Sequence, residues 1–183
     1  MSTAPTTDLH AWRGDFAHVA RMKILVIDDE PENVAVLAAL LNDTGFSRVQ
    51  TLTDSARALE TCRSFEPDLV LLDLQMPEPD GFAVLKSLRA DGSELFLPVV
   101  VLTGDTTHET KRRVLAAGAT DYLAKPFDFL EVLLRISNLL ETRRVHLQLD
   151  NQRAAFEEAV RQRTAELRQL QFELEQAQSL AAS

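Results

Sequence analysis

The sequence predicts an α/β fold, a doubly wound parallel sheet of five strands whose last helix runs on at length. Three observations carry this. Short apolar runs begin near residues 24, 49, 69, 99 and 121. Between them lie segments with apolar residues at helical spacing, bounded by capping and breaking residues. From Asp128 onward there is neither glycine nor proline, and Glu, Gln, Arg, Ala and Leu dominate, as a long helix requires.

Taken in order, Ile24-Leu25-Val26-Ile27 is a solidly apolar run, the signature of a strand covered on both faces. Pro31 suits the first turn of the next helix, Val34, Leu37, Leu40 and Leu41 give its buried stripe, and Gly45 stops it. Val49-Gln50-Thr51-Leu52 is the second strand, with Asp54 or Ser55 capping a helix that ends before Pro67. Leu69 to Leu72 form the third strand, closed by Asp73. The following helix starts near Asp80-Gly81, buries Phe82, Leu85 and Leu88, and stops at Gly92. Val99-Val100-Val101-Leu102 is the fourth strand. A helix to about Ala117 then ends at Gly118, before a short fifth strand, Asp121-Tyr122-Leu123-Ala124. Strands alternating with helices imply right-handed crossovers and a parallel sheet.

Composition sets limits on function. A chain of 183 residues, 45% apolar, suits one domain and an appendage. A formal net charge of -9 argues against direct nucleic-acid binding. No run approaches a membrane span and no signal-peptide core precedes residue 22, so the chain is read as cytoplasmic. The one cysteine, Cys62, lies on a helical stripe and is read as a small buried hydrophobe. Residues 1–21 are polar and mixed. Leu9, Trp12, Phe16 and Val19 could share one side of a short helix, but a flexible extension is the favoured reading.

The chemistry lies at the strand ends. Ligands of parallel sheets bind outside the carboxyl ends of the strands, and there the sequence brings Asp28-Asp29, Asp73, Thr103 and Lys125. Crowded carboxylates repel unless a cation offsets them. A hard divalent ion prefers oxygen ligands and leaves room for phosphate oxygens. A metal between Asp29 and Asp73 would let a phosphoryl donor approach a carboxylate nucleophile, with Lys125 offsetting charge on the equatorial oxygens. Each residue has a plainer reading alone: the acidic triplet before Pro31 as a helix-dipole partner, Lys125-Pro126 as a turn, Asp73 as a loop cap. Their joint placement at the ends of strands one, three, four and five favours the site.

These residues carry a family resemblance. Residues 22–140 resemble the receiver domain of two-component response regulators, on four stretches: Ile24 to Glu30, Asp73-Leu74-Gln75-Met76-Pro77-Glu78-Pro79-Asp80-Gly81, Leu102-Thr103-Gly104, and Gly118 to Phe127. The resemblance implies a flavodoxin-like strand order, 2-1-3-4-5. It implies that Asp73 accepts a phosphoryl group from a sensor histidine kinase or phosphotransfer protein. Mg²⁺ (or Mn²⁺) would be held by Asp29, Asp73 and the backbone carbonyl of Gln75, with Asp28 acting through water. Thr103 and Tyr122 would form a switch pair, and Lys125 would contact the phosphate. A cis bond is expected at Lys125-Pro126. Gln75 and Asp105 flank the pocket, and Glu78 departs from the glycine common in that loop.

Residues 141–183 read as a helical stalk. Spacings of four and three link Leu149, Arg153, Phe156, Val160, Arg163, Leu167, Leu170, Leu174, Ala177 and Ala181, and eight of these ten are apolar. A two-stranded coiled coil is favoured over packing on a further domain or a solvated tail. Six arginines and seven acidic residues from Glu141 onward do not make a basic region. The chain is thus expected to act as a non-enzymatic, dimeric receiver signalling through its stalk. The alternative is a regulatory fragment of a larger enzyme, such as an HD-GYP-type cyclic-di-GMP phosphodiesterase.

Overall fold

The computed structural model describes residues 17–91 and 96–181. Five parallel strands form one sheet in the order β2-β1-β3-β4-β5: β1 (Lys23–Ile27), β2 (Arg48–Leu52), β3 (Leu69–Asp73), β4 (Val99–Thr103) and β5 (Asp121–Ala124). Five α-helices alternate with them: α1 (Pro31–Asp43), α2 (Ala58–Phe65), α3 (Gly81–Ala90), α4 (His108–Ala116) and α5 (Phe129–Ala181). The expected α/β fold and strand order are both present.

The central strands are apolar on both sides because helices cover both sheet faces. β3 and β4 are buried at every residue, whereas the edge strand β2 buries only Leu52 fully, which explains its polar Gln50 and Thr51. On one face, α1 and the start of α5 enclose Ile24, Val26, Leu69, Leu71, Val100 and Leu102. On the other, α2 and α3 pack on Leu25, Ile27, Val70, Leu72, Val99 and Val101.

Caps and stops mostly follow the sequence. Pro31 opens α1, and Gly45 and Gly118 adopt φ of 105° and 97° after α1 and α4, values that glycine reaches without a Cβ penalty. The Asp54 carboxylate accepts the Ala56 N–H, but it caps a single 3₁₀ turn (Ser55–Arg57) rather than α2 directly. In α3 the buried stripe is Val84, Leu85 and Leu88, with Phe82 only half-buried; the helix turns Val84 inward where the sequence reading favoured Phe82. Gly92, expected to end α3, lies outside the described residues.

The expectation for the N-terminal extension also falls largely outside them, including Leu9, Trp12 and Phe16. Val19 is among the described residues. It is fully buried in the first core cluster, and Ser47 donates its N–H to the Ala20 carbonyl at 3.0 Å, so packed structure begins before Met22.

The chain divides into two compact units, Met1–Arg144 and Val145–Ser183. In the first, the opening turns of α5 bury Val132, Leu133, Ile136 and Leu140. In the second, a regular helix leaves every residue from Gln148 to Gln178 exposed. No helix among the described residues is long and apolar enough to cross a membrane.

Candidate phosphoryl-acceptor site

Register aligns the strand ends. Ile27 pairs with Leu72, Asp73 with Leu102, and Thr103 with Ala124, so Asp28, Asp73, Thr103 and Lys125 emerge side by side at one sheet edge. The carboxylates of Asp28, Asp29 and Asp73 each offer an oxygen within 4.8 Å of the others. Asp28 and Asp73 are buried and Asp29 is half-buried.

Every oxygen of this cluster that is tied down has an identifiable donor. Lys125 Nζ donates to Asp73 Oδ1 at 2.7 Å and to Asp28 Oδ2 at 3.1 Å. The Gln75 N–H donates to Asp73 Oδ2 at 2.9 Å. Asp28 Oδ1 accepts the Glu30 N–H at 3.0 Å, and Asn33 Nδ2 donates to both Asp28 oxygens at 3.1 Å. Asn33 was not anticipated from the sequence. Its signal is positional: it sits in the first turn of α1, where a side chain points back toward the strand end that precedes the helix.

Charge in the cluster is out of balance. Burial lifts the Asp73 carboxyl above its ordinary range, and the neighbouring Asp28 adds to this against the opposing pull of Lys125. Burial lowers the Lys125 ammonium, but its hydrogen bonds and charge attraction to Asp73 and Asp28 outweigh that and raise it overall. Lys125 is therefore firmly cationic, yet one ammonium faces three carboxylates. A set of hard oxygen donors with a surplus of negative charge fits a divalent cation such as Mg²⁺.

The loop after β3 is held tightly. Gly81 donates its N–H to the Leu74 carbonyl at 3.2 Å. A Cβ there would lie 2.6 Å from Leu74 Cα and would overlap the Asp73 carbonyl oxygen, so only glycine permits this approach. The bonds Glu78-Pro79 and Lys125-Pro126 are cis; the second matches the expectation from the resemblance.

The other sequence-predicted residues lie around this centre. Thr103 is buried, and its hydroxyl oxygen accepts the Asp105 N–H at 3.1 Å. Gln75 is exposed, with its side-chain oxygen beside Gly104. Tyr122 is not part of the carboxylate cluster. It pairs with Val101, two positions before the end of β4, and its half-buried ring lies under the Lys111 ammonium, 4.7 Å from the centroid.

Comparison with known proteins agrees with this geometry. Residues 24–137 match the response regulator receiver domain family. The chain is 37% identical over 118 residues to the DNA-binding dual master transcriptional regulator RpaA of Synechocystis sp., covering 64% of this chain and 48% of that protein. It is 31% identical over 153 residues to a probable cyclic di-GMP phosphodiesterase of Vibrio cholerae, covering 84% of this chain and 34% of that protein. Among solved structures, the Vibrio cholerae chemotaxis protein CheY4 superimposes with a TM-score of 0.61 at 30% identity, covering 65% of this chain and 98% of that one. The chain spans about half the length of the first curated relatives it matches.

Proposed function

Because this chain belongs to the response regulator receiver domain family, we propose that it accepts a phosphoryl group on Asp73 from a histidine kinase or phosphotransfer protein and relays the event to its C-terminal helix. The observation that carries the proposal is the Asp73 carboxylate, buried at a strand end, 2.7 Å from Lys125 and clustered with Asp28 and Asp29.

In this reading, an Asp73 oxygen attacks the donor phosphorus. One O–P bond forms as the bond from phosphorus to its leaving group breaks, and the leaving group takes up a proton. The product is an acyl phosphate. Lys125 donates to a phosphoryl oxygen once Asp73 is esterified, and Thr103 turns its hydroxyl to another. Asp29, Asp73 and the Gln75 carbonyl would hold Mg²⁺ or Mn²⁺, with Asp28 acting through water; when bound, the ion offsets charge on the transferring phosphoryl group. Asn33 and Glu30 keep Asp28 in place through their hydrogen bonds. No separate substrate is turned over, so the chain works as a signalling module rather than an enzyme in the ordinary sense.

The switch is proposed to run through Thr103 and Tyr122. Movement of the Thr103 hydroxyl toward the phosphoryl group opens space for an inward Tyr122 and remodels the surface formed by β4, α4 and β5. We take residues 22–140 as the receiver, preceded by an N-terminal extension, and residues 141–183 as a stalk that pairs with a second copy. The support for pairing is the heptad stripe, with Leu149, Phe156, Val160, Leu167, Leu170 and Leu174 each 47–70% exposed.

The test of the acceptor uses phosphoramidate with Mg²⁺, followed by hydroxylamine. Hydroxamate formation at Asp73 in peptide mass spectra is the expected result. Formation at another residue, or none, overturns the proposal.

A second reading makes the chain the regulatory part of a larger cyclic-dinucleotide enzyme. The observation favouring it is that the match to the Vibrio cholerae phosphodiesterase covers 84% of this chain, beyond the receiver itself. The full reading frame past Ser183 decides between them: a downstream His-Asp motif favours the enzyme, and a stop codon favours the self-contained module.

A further inference from the structure

The first turn of α4 is fastened by a compact set of hydrogen bonds. Asp105 Oδ1 accepts the Thr107 N–H at 2.9 Å, and Asp105 Oδ2 accepts the Thr110 hydroxyl at 2.6 Å. Thr107 Oγ1 accepts the Thr110 N–H at 3.2 Å, the usual N-cap arrangement. The Asp105 N–H in turn donates to the Thr103 hydroxyl oxygen. The start of α4 is therefore tied to the end of β4 through Thr103.

Lys111 follows Thr107 by one helical turn. Its side chain reaches across to β5 and sets its ammonium over the face of Tyr122. Aromatic faces carry negative potential, and a cation within about 6 Å of the centroid is attracted to them. Tyr122 is half-buried: its ring packs at the margin of the second core cluster and at the same time meets the Lys111 ammonium. One short segment, Asp105 to Lys111, thus touches both Thr103 and Tyr122.

We propose that Lys111 is a positioning residue that holds Tyr122 in its resting pose, and that Asp105 links this hold to Thr103. The inference rests on the reading of Thr103 and Tyr122 as the switch pair. When Thr103 turns toward a phosphoryl group, the hydrogen bond from Asp105 is released, the first turn of α4 loosens, and Lys111 gives up the ring. Conversely, Lys111 favours the resting state and slows phosphorylation, because any contact made in only one of two states shifts their populations by its own free energy.

The test exploits the single tyrosine of this chain. Labelling with 3-fluorotyrosine gives one ¹⁹F signal, recorded for the native chain, Lys111→Met and Lys111→Arg, each with and without phosphoramidate and Mg²⁺. Methionine keeps the length and loses the charge; arginine keeps the charge. Lys111→Met should move the resting signal toward that of the phosphorylated native chain. It should also raise the phosphorylation rate at subsaturating donor by about 2- to 5-fold, the range of an exposed cation–π contact. Lys111→Arg should restore both. A Lys111→Met signal coincident with the native one overturns the proposal, and so does a displaced signal with an unchanged rate, which marks a local charge effect. The resting spectra need no phosphoryl transfer. If the native chain takes up no phosphate, the H₂O/D₂O isotope shift of the ¹⁹F signal decides, because it reads the exposure of the ring and not its charge. A shift changed by Lys111→Met and restored by Lys111→Arg upholds the hold on Tyr122 while the reading of Asp73 fails, and an unchanged shift overturns the hold as well.

Discussion

Lys125 Nζ lies 2.7 Å from Asp73 Oδ1, across 52 positions of sequence. The pair joins the ends of β3 and β5, two strands that are not neighbours in the sheet. Its ammonium bonds Asp28 as well, so one side chain braces two carboxylates that would otherwise repel each other. The proposed chemistry of the strand-end edge depends on that bracing.

Removing this cation should slow phosphoryl acceptance. Lys125→Met is expected to reduce the rate of phosphate incorporation from phosphoramidate by roughly 10²-fold, the usual effect of losing one preorganised donor to the transition state. A time course of intact mass measures it. A native rate in the variant contradicts the role assigned to Lys125.

Gly81 is the second sensitive point. Its Cα sits against the backbone of Asp73 and Leu74, so Gly81→Ala should push the β3–α3 loop away from Asp73. The expected cost is about 1–3 kcal/mol in urea unfolding, as for other insertions into packed sites. Mg²⁺ affinity, followed by titration, should fall with it. Native stability together with native Mg²⁺ affinity would show that the loop tolerates the methyl.

Cys62 gives a prediction in pH. It is buried in α2, and burial first, then the charge of Asp91, pushes its thiol from 9.0 up to about 11. Below pH 9 the thiol is neutral in folded and unfolded chains alike. Between pH 9 and 11 the unfolded thiol ionises and the folded one does not, so stability is lost as pH rises through that window. Two pH units of difference correspond to roughly 2–3 kcal/mol. Cys62→Ala should lack this part of the alkaline loss in urea titrations at pH 8.5 and 11; an identical loss in both chains would exclude it.

The stalk should determine association. Leu167→Glu with Leu170→Glu adds four charges to the seam of a two-stranded coil. Light scattering should give a dimer mass for the native chain and a monomer mass for this variant and for a chain truncated near Glu141. A monomer for the native chain, or a dimer for the truncated one, would move the association surface elsewhere.

The parts legible in the sequence are those governed by periodicity. β1, β3 and β4 are unbroken apolar runs because both sheet faces are covered, and the long C-terminal helix shows in a run of helix-favouring residues without glycine or proline. Asp28, Asp29, Asp73, Thr103 and Lys125 were legible as a group because parallel strands all end on one side. What escaped depends on side-chain reach between distant segments. Nothing in the local pattern indicates that Asn33 turns back onto Asp28, that Lys111 covers Tyr122, or that Asp105 gathers Thr107 and Thr110. Nor does it reveal Arg143, buried on α5 and donating to the Phe96 carbonyl at 2.7 Å, in a segment read as the start of a coiled-coil stalk. The direction of a residue on a helix shoulder is set by packing, as the exchange of Phe82 for Val84 in the α3 stripe illustrates, and Val19 joined the core from a segment with no strong period.

The central claim is that Asp73 is the phosphoryl acceptor, and intact-mass spectrometry after incubation with acetyl phosphate and Mg²⁺ tests it most directly. The account predicts one added phosphate on the native chain and none on Asp73→Asn. No gain on the native chain, or the same gain on Asp73→Asn, would contradict it.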